Sequence, residues 1–298
     1  MGTIPSHPRL RVRDARGDYY RAFTEMVEEA DAALLIAPET DGLLEAITAI
    51  VEESGKLVLG SSTAGIGAAG DKAKTYRLLR AGGIPTPETY EVRQSDDPAP
   101  VARRLGFPVV VKPADGAGCQ CVLIAGRESE LRRAWATAGR ESGSEALLLQ
   151  SYAEGVHASV SLVTDGARAL TLTLNSQAIR GRTRLTYHGG RVPLDHPLRS
   201  LAFRRAEEVV GAIPGLKGYV GIDMVLTGRD AVVIEVNPRL TTSYVAIRRV
   251  LRENLAVLIL DAVRGALPEP GRIQTVGAAR FTTHSRDGAA RWSIQWSG

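Results

Sequence analysis

The 298-residue sequence predicts an α+β fold with a small α/β unit at its front. Three observations carry this expectation. Residues 31–60 read as strand, helix, strand, the order of a parallel layer. From Pro85 onward, short strands and helices mix without strict alternation, as they do around an antiparallel sheet. Tyr219–Asn237 reads as a hairpin with one apolar face and one acidic face.

In chain order, Arg9–Arg13 is a candidate edge strand before the first unit. Ala32–Ala37 (AALLIA) is a short apolar run that reads as a buried strand, Gly42–Glu53 as a helix and Leu57–Gly60 as a second strand. Ser61–Gly70 is rich in Ser, Gly and Ala and reads as loop or linker. Asp71–Ala81 predicts a helix with Asp71 as its N-cap and Gly82-Gly83 as its stop. Strands follow over Glu88–Arg93, Val109–Lys112, Cys121–Ile124, Leu147–Tyr152, His157–Thr164 and Ala169–Ala178. Helices are expected over Pro98–Leu105, Ser129–Gly139 and Leu201–Ile213. Val245–Arg264 predicts one long amphipathic helix; such a helix normally faces the core, and a homodimer face is the alternative. Thr275–Trp296 reads as further strands.

Bulk properties narrow the function. A hydrophobic fraction of 44% supports a core, and no run of 18 apolar residues exists to span a membrane. The first residues lack the apolar stretch of a signal peptide. Cys119 and Cys121 are too close together for a good structural disulfide, which favours a reducing, cytoplasmic setting. The net charge of +4 invites nucleic acid, but the arginines are dispersed and aromatics make up only 5%, too few for base stacking. Lysine is restricted to Lys56, Lys72, Lys74, Lys112 and Lys217. A chain that otherwise uses arginine places ammonium groups where their shape and hydration matter.

A three-residue loop at Gly228-Arg229-Asp230 sets Asp223 opposite Glu235, with Asn237 on the same face. Ile222, Met224, Leu226, Val232, Ile234 and Val236 form the other face. Carboxylates opposed across a ladder repel, and a divalent cation with oxygen ligands resolves that repulsion. An exposed hairpin with unrelated acids is the plainer alternative. Lys112 ends a buried apolar strand and is followed by the loop Asp115-Gly116-Ala117-Gly118, whose N–H groups could wrap phosphates. Lys72 follows the cap Asp71. Leu147–Gly155 is an apolar strand ending in polar residues, suited to exposing backbone groups to a base edge. Each of these is ordinary alone.

Taken in order, Asp71-Lys72, Val-Val-Lys-Pro with its glycine loop, Gln-x-Tyr-x-Glu-Gly, Gly-x-Asp and Glu-Val-Asn-Pro-Arg resemble the ATP-grasp family over about residues 31–265. The resemblance implies an ATP-grasp fold with an abbreviated N-terminal α/β pre-ATP-grasp domain over 1–70. A central lid subdomain with its preceding helix would span 71–150, and a C-terminal subdomain with the metal and substrate site 151–298. ATP would lie between the last two with Mg²⁺ or Mn²⁺, two ions in all. Lys72 and Lys112 match the phosphate-contacting lysines, Gly116 and Gly118 the covering loop, and Gln150, Ser151 and Tyr152 the adenine hinge. Glu154 or His157 would approach the ribose; many members carry glutamate where His157 stands. Asp223, Glu235 and Asn237 match the metal ligands, and Arg239 the arginine beside the γ-phosphate, with Lys112 sharing its catalytic role.

The implied reaction activates a carboxylate as an acyl phosphate, which an amine then opens. No Ser-His-Asp or Cys-His arrangement competes with it. IAPETDGLLEAI, LNSQAI, TYHGGRVPLDHP and EVNPRLTTSY are similar to one branch of the family, the tyramine–glutamate ligases of methanofuran and methylofuran synthesis. The expected partners are therefore small molecules, an amino acid and an amine, without nucleic acid or membrane. Arg180, Arg182 and Arg184 in the RGRTR run could hold a carboxylate bidentately or simply form a solvated strand face. Asn175 and Gln177 share a strand face and could orient a polar substrate. Thr241, Thr242 and Tyr244 follow Arg239, and Tyr244 could stack on an aromatic amine. His188 and His196 sit in a Gly/Pro-rich loop, and no residue stands out as a general base. Another amino-acid or peptide ligase, a carboxylase-type member, or a nucleotide-binding regulator without turnover are the competing readings.

Overall fold

The computed structural model describes residues 9–13, 17–114, 116, 119, 121–286 and 289–297. The front unit is small. Helix α1 (Tyr19–Glu28) is capped by Asp18, whose side chain accepts from the Arg21 amide. Strand β1 (Ala32–Ala33), helix α2 (Leu43–Glu53) and strand β2 (Leu57–Val58) follow, and β1 pairs with β2 in parallel. Leu44, Ile47 and Ile66 form the core of this unit. Both strands are only two residues long, shorter than the apolar runs suggested. Arg9–Arg13 forms no strand; Arg13 instead pairs with Glu25 of α1 and with Glu29, the residue that caps its C-terminus.

Residues expected as a loop, Ser61–Gly70, contain helix α3 (Thr63–Gly70). Ser62 caps it by accepting from the Gly65 amide. Its small side chains allow an approach that bulkier helix formers would block: a Cβ at Gly65 would lie 2.4 Å from the Gly215 carbonyl. Tertiary contact thus overrides weak local propensity. Helix α4 (Lys72–Ala81) begins at Asp71, whose side chain accepts from the Lys74 amide, as the sequence predicts. Leu79 of α4 joins the core of the C-terminal sheet, so this helix packs against that sheet as well as against the strand that follows it.

The second sheet, in the region expected as the lid, has four antiparallel strands in the order β3-β6-β4-β5: β3 (Thr89–Arg93), β4 (Val109–Pro113), β5 (Leu123–Ala125) and β6 (Ala146–Ser151). Helices α5 (Ala99–Leu105) and α6 (Glu128–Ser142) pack on it around Trp135, Leu147 and Leu149. β4 is buried along its whole length, which explains its unbroken VVV.

The third region is a seven-stranded antiparallel sheet, ordered β11-β10-β7-β8-β9-β12-β13. Its strands are β7 (Val156–Thr164), β8 (Ala169–Arg180), β9 (Thr186–Val192), β10 (Gly218–Leu226), β11 (Ala231–Asn237), β12 (Ala278–Arg286) and β13 (Ala289–Ser297). β9 occupies the segment read as a Gly/Pro-rich loop. Helix α7 (Arg199–Ala212) covers Val160, Leu162, Ile222 and Met224 on one side. The single helix expected over Val245–Arg264 is two, α8 (Tyr244–Val250) and α9 (Leu255–Val263). Asn254 caps α9, and the amides of Arg252 and Val276 tie the break to the neighbouring chain. The buried face of α9, Leu255, Leu258, Ile259 and Ala262, turns into the sheet. Among the described residues no helix is long and apolar enough to cross a membrane.

Two glycine substitutions separate packing from propensity. Gly65→Ala should destabilise the protein by about 2 kcal/mol or more, because backbone and not a flexible side chain must yield. Gly211→Ala, in α7 with open space around it, should stabilise by about 0.5–1 kcal/mol. Urea unfolding of both variants measures the contrast; equal effects would contradict the seam at Gly65–Gly215.

Candidate active site

The hairpin β10–β11 delivers the acidic pair by a route the sequence did not disclose. Pairing starts at Leu226↔Ala231, so the connecting loop is Thr227–Asp230. A bulge then shifts the register by one, and Asp223 again faces Glu235. The bulge also swaps faces. Ala231, Val233 and Val236 enter the core, whereas Val232 is half-buried and Ile234 turns with Glu235 to the cavity. The expected placement of Val232 and Ile234 in the core is therefore corrected.

Asp223 accepts from Gln177 Nε2 at 2.9 Å and from Asn237 Nδ2 at 3.4 Å. Burial, and secondarily the facing Glu235, push the Asp223 carboxyl up to about 7. Glu235 instead meets Lys72, whose Nζ lies 3.4 Å from Glu235 Oε1 and donates to the Gly116 carbonyl at 2.6 Å. Lys72 is held there by being the first residue of α4.

Across the cavity, Lys112 is buried near the end of β4 and donates to Gln150 Oε1 at 3.0 Å. Gln150 in turn donates to Thr89 Oγ1 at 2.8 Å. The Gln150 side chain thus orients Lys112 instead of presenting itself to a ligand. Burial lowers the Lys112 ammonium to about 8, although Glu235 acts in the opposite direction. The Ser151 and Tyr152 amides are bonded to Glu88 and Pro108 carbonyls.

Between the two sheets lies a cavity lined by Lys72, Lys112, Gly116, Gln150, Ser151, Tyr152, His157, Gln177, Asp223 and Glu235. Val110, Val122, Ile179, Leu185 and Met224 supply an apolar wall. This mixture of lining groups suits a mostly apolar ring at one end and charged groups at the other. His157 is half-buried, and burial favours its neutral form. Cys119 also lines the cavity; burial, then Asp223 and Glu235, push its thiol up to about 12, so it is no nucleophile.

Other predicted residues lie elsewhere. Glu154 is exposed. Gly118 falls outside the described residues. Asn175 is buried and donates to Ser159 and Ser161, so it is part of the sheet interior. Arg180 edges a separate groove and Arg182 is exposed. Their neighbour Arg184 forms a double hydrogen bond with Glu141, and the backbone of 183–185 pairs with Val122 and Ile124. The RGRTR run therefore fastens the lid to the sheet. Thr241 bonds Tyr219 and Ser243, Thr242 is half-buried, and Tyr244 packs on the α8–α9 core instead of standing free to stack. Arg239 pairs with Glu39 at 2.8 Å, a partner that sequence reasoning missed because the two residues are distant in the chain.

Among the described residues no three His, Cys, Asp or Glu side chains gather to hold a metal. The donor set is two carboxylates and an amide, all hard oxygen ligands, and the raised Asp223 marks charge that the protein leaves uncompensated. That set fits Mg²⁺ or Mn²⁺, which complete their shells with phosphate and water.

An ATP-grasp domain model matches residues 69–243 and a pre-ATP-grasp domain model residues 5–66. The tyramine–L-glutamate ligases of Methanocaldococcus fervens and Methanocaldococcus jannaschii are 32% and 31% identical over 216 residues, 72% of this chain. The chain spans 61% and 58% of the length of those relatives. A crystal structure assigned to the ATP-grasp superfamily, from Archaeoglobus fulgidus, is 25% identical with a TM-score of 0.67, covering 93% of this chain and 79% of the other.

The elevated Asp223 makes stability depend on pH. A carboxyl raised from 3.8 to about 7 stabilises the cation-free fold below pH 4 and loses that contribution as pH climbs through 7. Mg²⁺ should therefore raise the melting temperature more at pH 8 than at pH 5. Asp223→Asn should flatten the pH dependence and abolish the Mg²⁺ response. Thermal unfolding reads both; an equal Mg²⁺ shift at the two pH values would remove Asp223 from the cation site.

Proposed function

The chain belongs to the ATP-grasp family, and from that premise we propose that it is an ADP-forming carboxylate–amine ligase. The observation that supports this reading is the meeting of Lys72 and Lys112 with Asp223 and Glu235 around one cavity. Phosphoryl transfer demands positioning and charge neutralisation more than a protein nucleophile, and this cavity offers the former with no competent thiol.

A substrate carboxylate oxygen attacks the γ-phosphorus of ATP, the bond to the β–γ bridging oxygen breaks, and ADP leaves with that electron pair. The amine then attacks the acyl carbon, inorganic phosphate departs, and the nitrogen sheds a proton to give the amide. Lys72 and Lys112 steady the phosphate oxygens, and Gln150 keeps Lys112 on station. Asp223, Glu235 and Asn237 would hold the divalent cations, which neutralise charge on the transferred phosphoryl group. The lid and the bridging segment 183–185 exclude water from the acyl phosphate. Within this reaction the acid is L-glutamate, through its γ-carboxylate, and the amine tyramine. The basis is the likeness to the Methanocaldococcus ligases. The resemblance of its sequence motifs supports a place in methanofuran- or methylofuran-type synthesis.

Incubation with ATP, Mg²⁺, L-glutamate and tyramine should release ADP and yield a γ-glutamyl amide, followed by coupled ADP assay and mass spectrometry. Lys112→Met should lower the rate about 100-fold or more. ADP release with other acid–amine pairs alone would overturn the substrates; none with any pair would overturn the ligase.

A further inference from the structure

Strand β8 serves two sides of its sheet. Gln177 and Ile179 line the cavity that holds the acid pair, while Ser176, Ala178 and Arg180 alternate to the opposite side. On that side α7 packs over Leu174 and the neighbouring strands. Towards β9, β12 and β13 the face becomes a groove, lined by the small residues Ala178, Gly190 and Ala278 and by Arg180, Arg191 and Arg280. Among the described residues no carboxylate lines it. The strand registers set Ser176, Arg191, Arg280 and Gln295 in one row across the sheet. Arg191 and Arg280 therefore stand directly opposite each other on neighbouring strands, where like charges repel. Among the described residues neither of their side chains nor that of Arg180 has a hydrogen bond or ion pair. Arg103, Arg184 and Arg205, by contrast, each have a carboxylate partner.

We propose that this groove is a second binding site, for a small molecule carrying at least two phosphate groups. It is independent of the ligase reading. The donors select phosphate over carboxylate. Neighbouring strands lie about 5 Å apart, so the guanidinium forks of Arg191 and Arg280 can close on one anion. A carboxylate occupies a single fork, whereas a phosphate has oxygens for both. Ser176 Oγ accepts from the Arg191 amide at 3.0 Å, which leaves its hydroxyl proton to donate. Arg180 stands four residues further along β8, about 10–13 Å away, a distance that a second phosphate on the same molecule spans. His188 lines the groove beside it, its Nε2 bonded to Thr186 Oγ1 at 2.9 Å. Nucleic acid is the poorer match, because with aromatics at 5% of the chain base stacking has little to rest on. A ligand seated here lies on the back of the strand that aims Gln177 at Asp223.

Calorimetry on the whole chain, with ADP in excess to fill the cavity between the sheets, compares tripolyphosphate, a hexose bisphosphate, inorganic phosphate and citrate. Tripolyphosphate or the bisphosphate should bind about tenfold or more tighter than inorganic phosphate and citrate. Replacing both Arg191→Gln and Arg280→Gln should weaken that binding about tenfold or more and leave the affinity for ADP unchanged. Arg180→Gln should weaken the probes with several phosphates and spare inorganic phosphate. All three side chains are exposed, so the variants keep the fold, and thermal unfolding checks it. Failure of both phosphorylated probes to bind, citrate binding as tightly, or affinity that survives the double replacement overturns the site and leaves three solvated arginines. An affinity indifferent to Arg180→Gln overturns the second phosphate. Tighter, arginine-dependent binding of a single-stranded RNA oligonucleotide overturns the small-molecule reading. Because binding is read and not turnover, a silent ligase assay leaves the groove standing, and a groove that binds nothing leaves the ligase standing.

Discussion

Everything around the cavity answers to one electrostatic constraint: Asp223 and Glu235 face each other across adjacent strands in a largely buried place. Two carboxylates at that spacing repel and are poorly hydrated. The protein compensates from one side only. Lys72 reaches Glu235, while Asp223 is left with the neutral donors Gln177 and Asn237. The result is an ionised acid beside one that holds its proton until near neutrality. A divalent cation would complete that asymmetric arrangement, and the hard oxygen donors suit it.

The hairpin shows how much of this was legible. Opposition of the two acids could be read from the alternation of its strands, and the structure has it. The assumed three-residue loop and unbroken ladder were wrong in detail, but the two errors cancel: the longer loop moves the register one way and the bulge at Ile234 moves it back. Strand alternation carries no signal for a bulge, because a bulge changes which face a residue takes without changing residue type. The helix cap at Asp71, the buried β4 and the lysine at its end were equally legible, since each is set by local chemistry.

What was illegible depends on distant contacts. The small-residue helix α3 exists because Gly65 meets Gly215, and no local propensity announces that. The break between α8 and α9 is fixed by backbone pairing to residues 274–276. The arginines of RGRTR looked like anion ligands, yet Arg184 serves Glu141 and the segment clasps the lid. Tyr244 looked like a stacking platform and is core. Glu39 had no motif to mark it; only the fold brings it to Arg239.

The charges of the site come from three regions, and their distribution explains how it can be buried both empty and loaded. Helix α4 and the lid contribute the two ammonium groups of Lys72 and Lys112; the C-terminal hairpin contributes the two carboxylates. The front unit and the segment after β11 add one acid and one base, Glu39 and Arg239. With both carboxylates ionised each set balances, and a low-dielectric cavity penalises enclosed net charge heavily. ATP with two divalent cations is neutral in sum as well. On the proposed reading, loading would exchange partners instead of adding charge: phosphates would take the lysines, and the cations the carboxylates that Lys72 releases. Because the lysines and the carboxylates stand on different elements, that exchange would also redraw the tie between α4 and the hairpin made by Lys72 and Glu235.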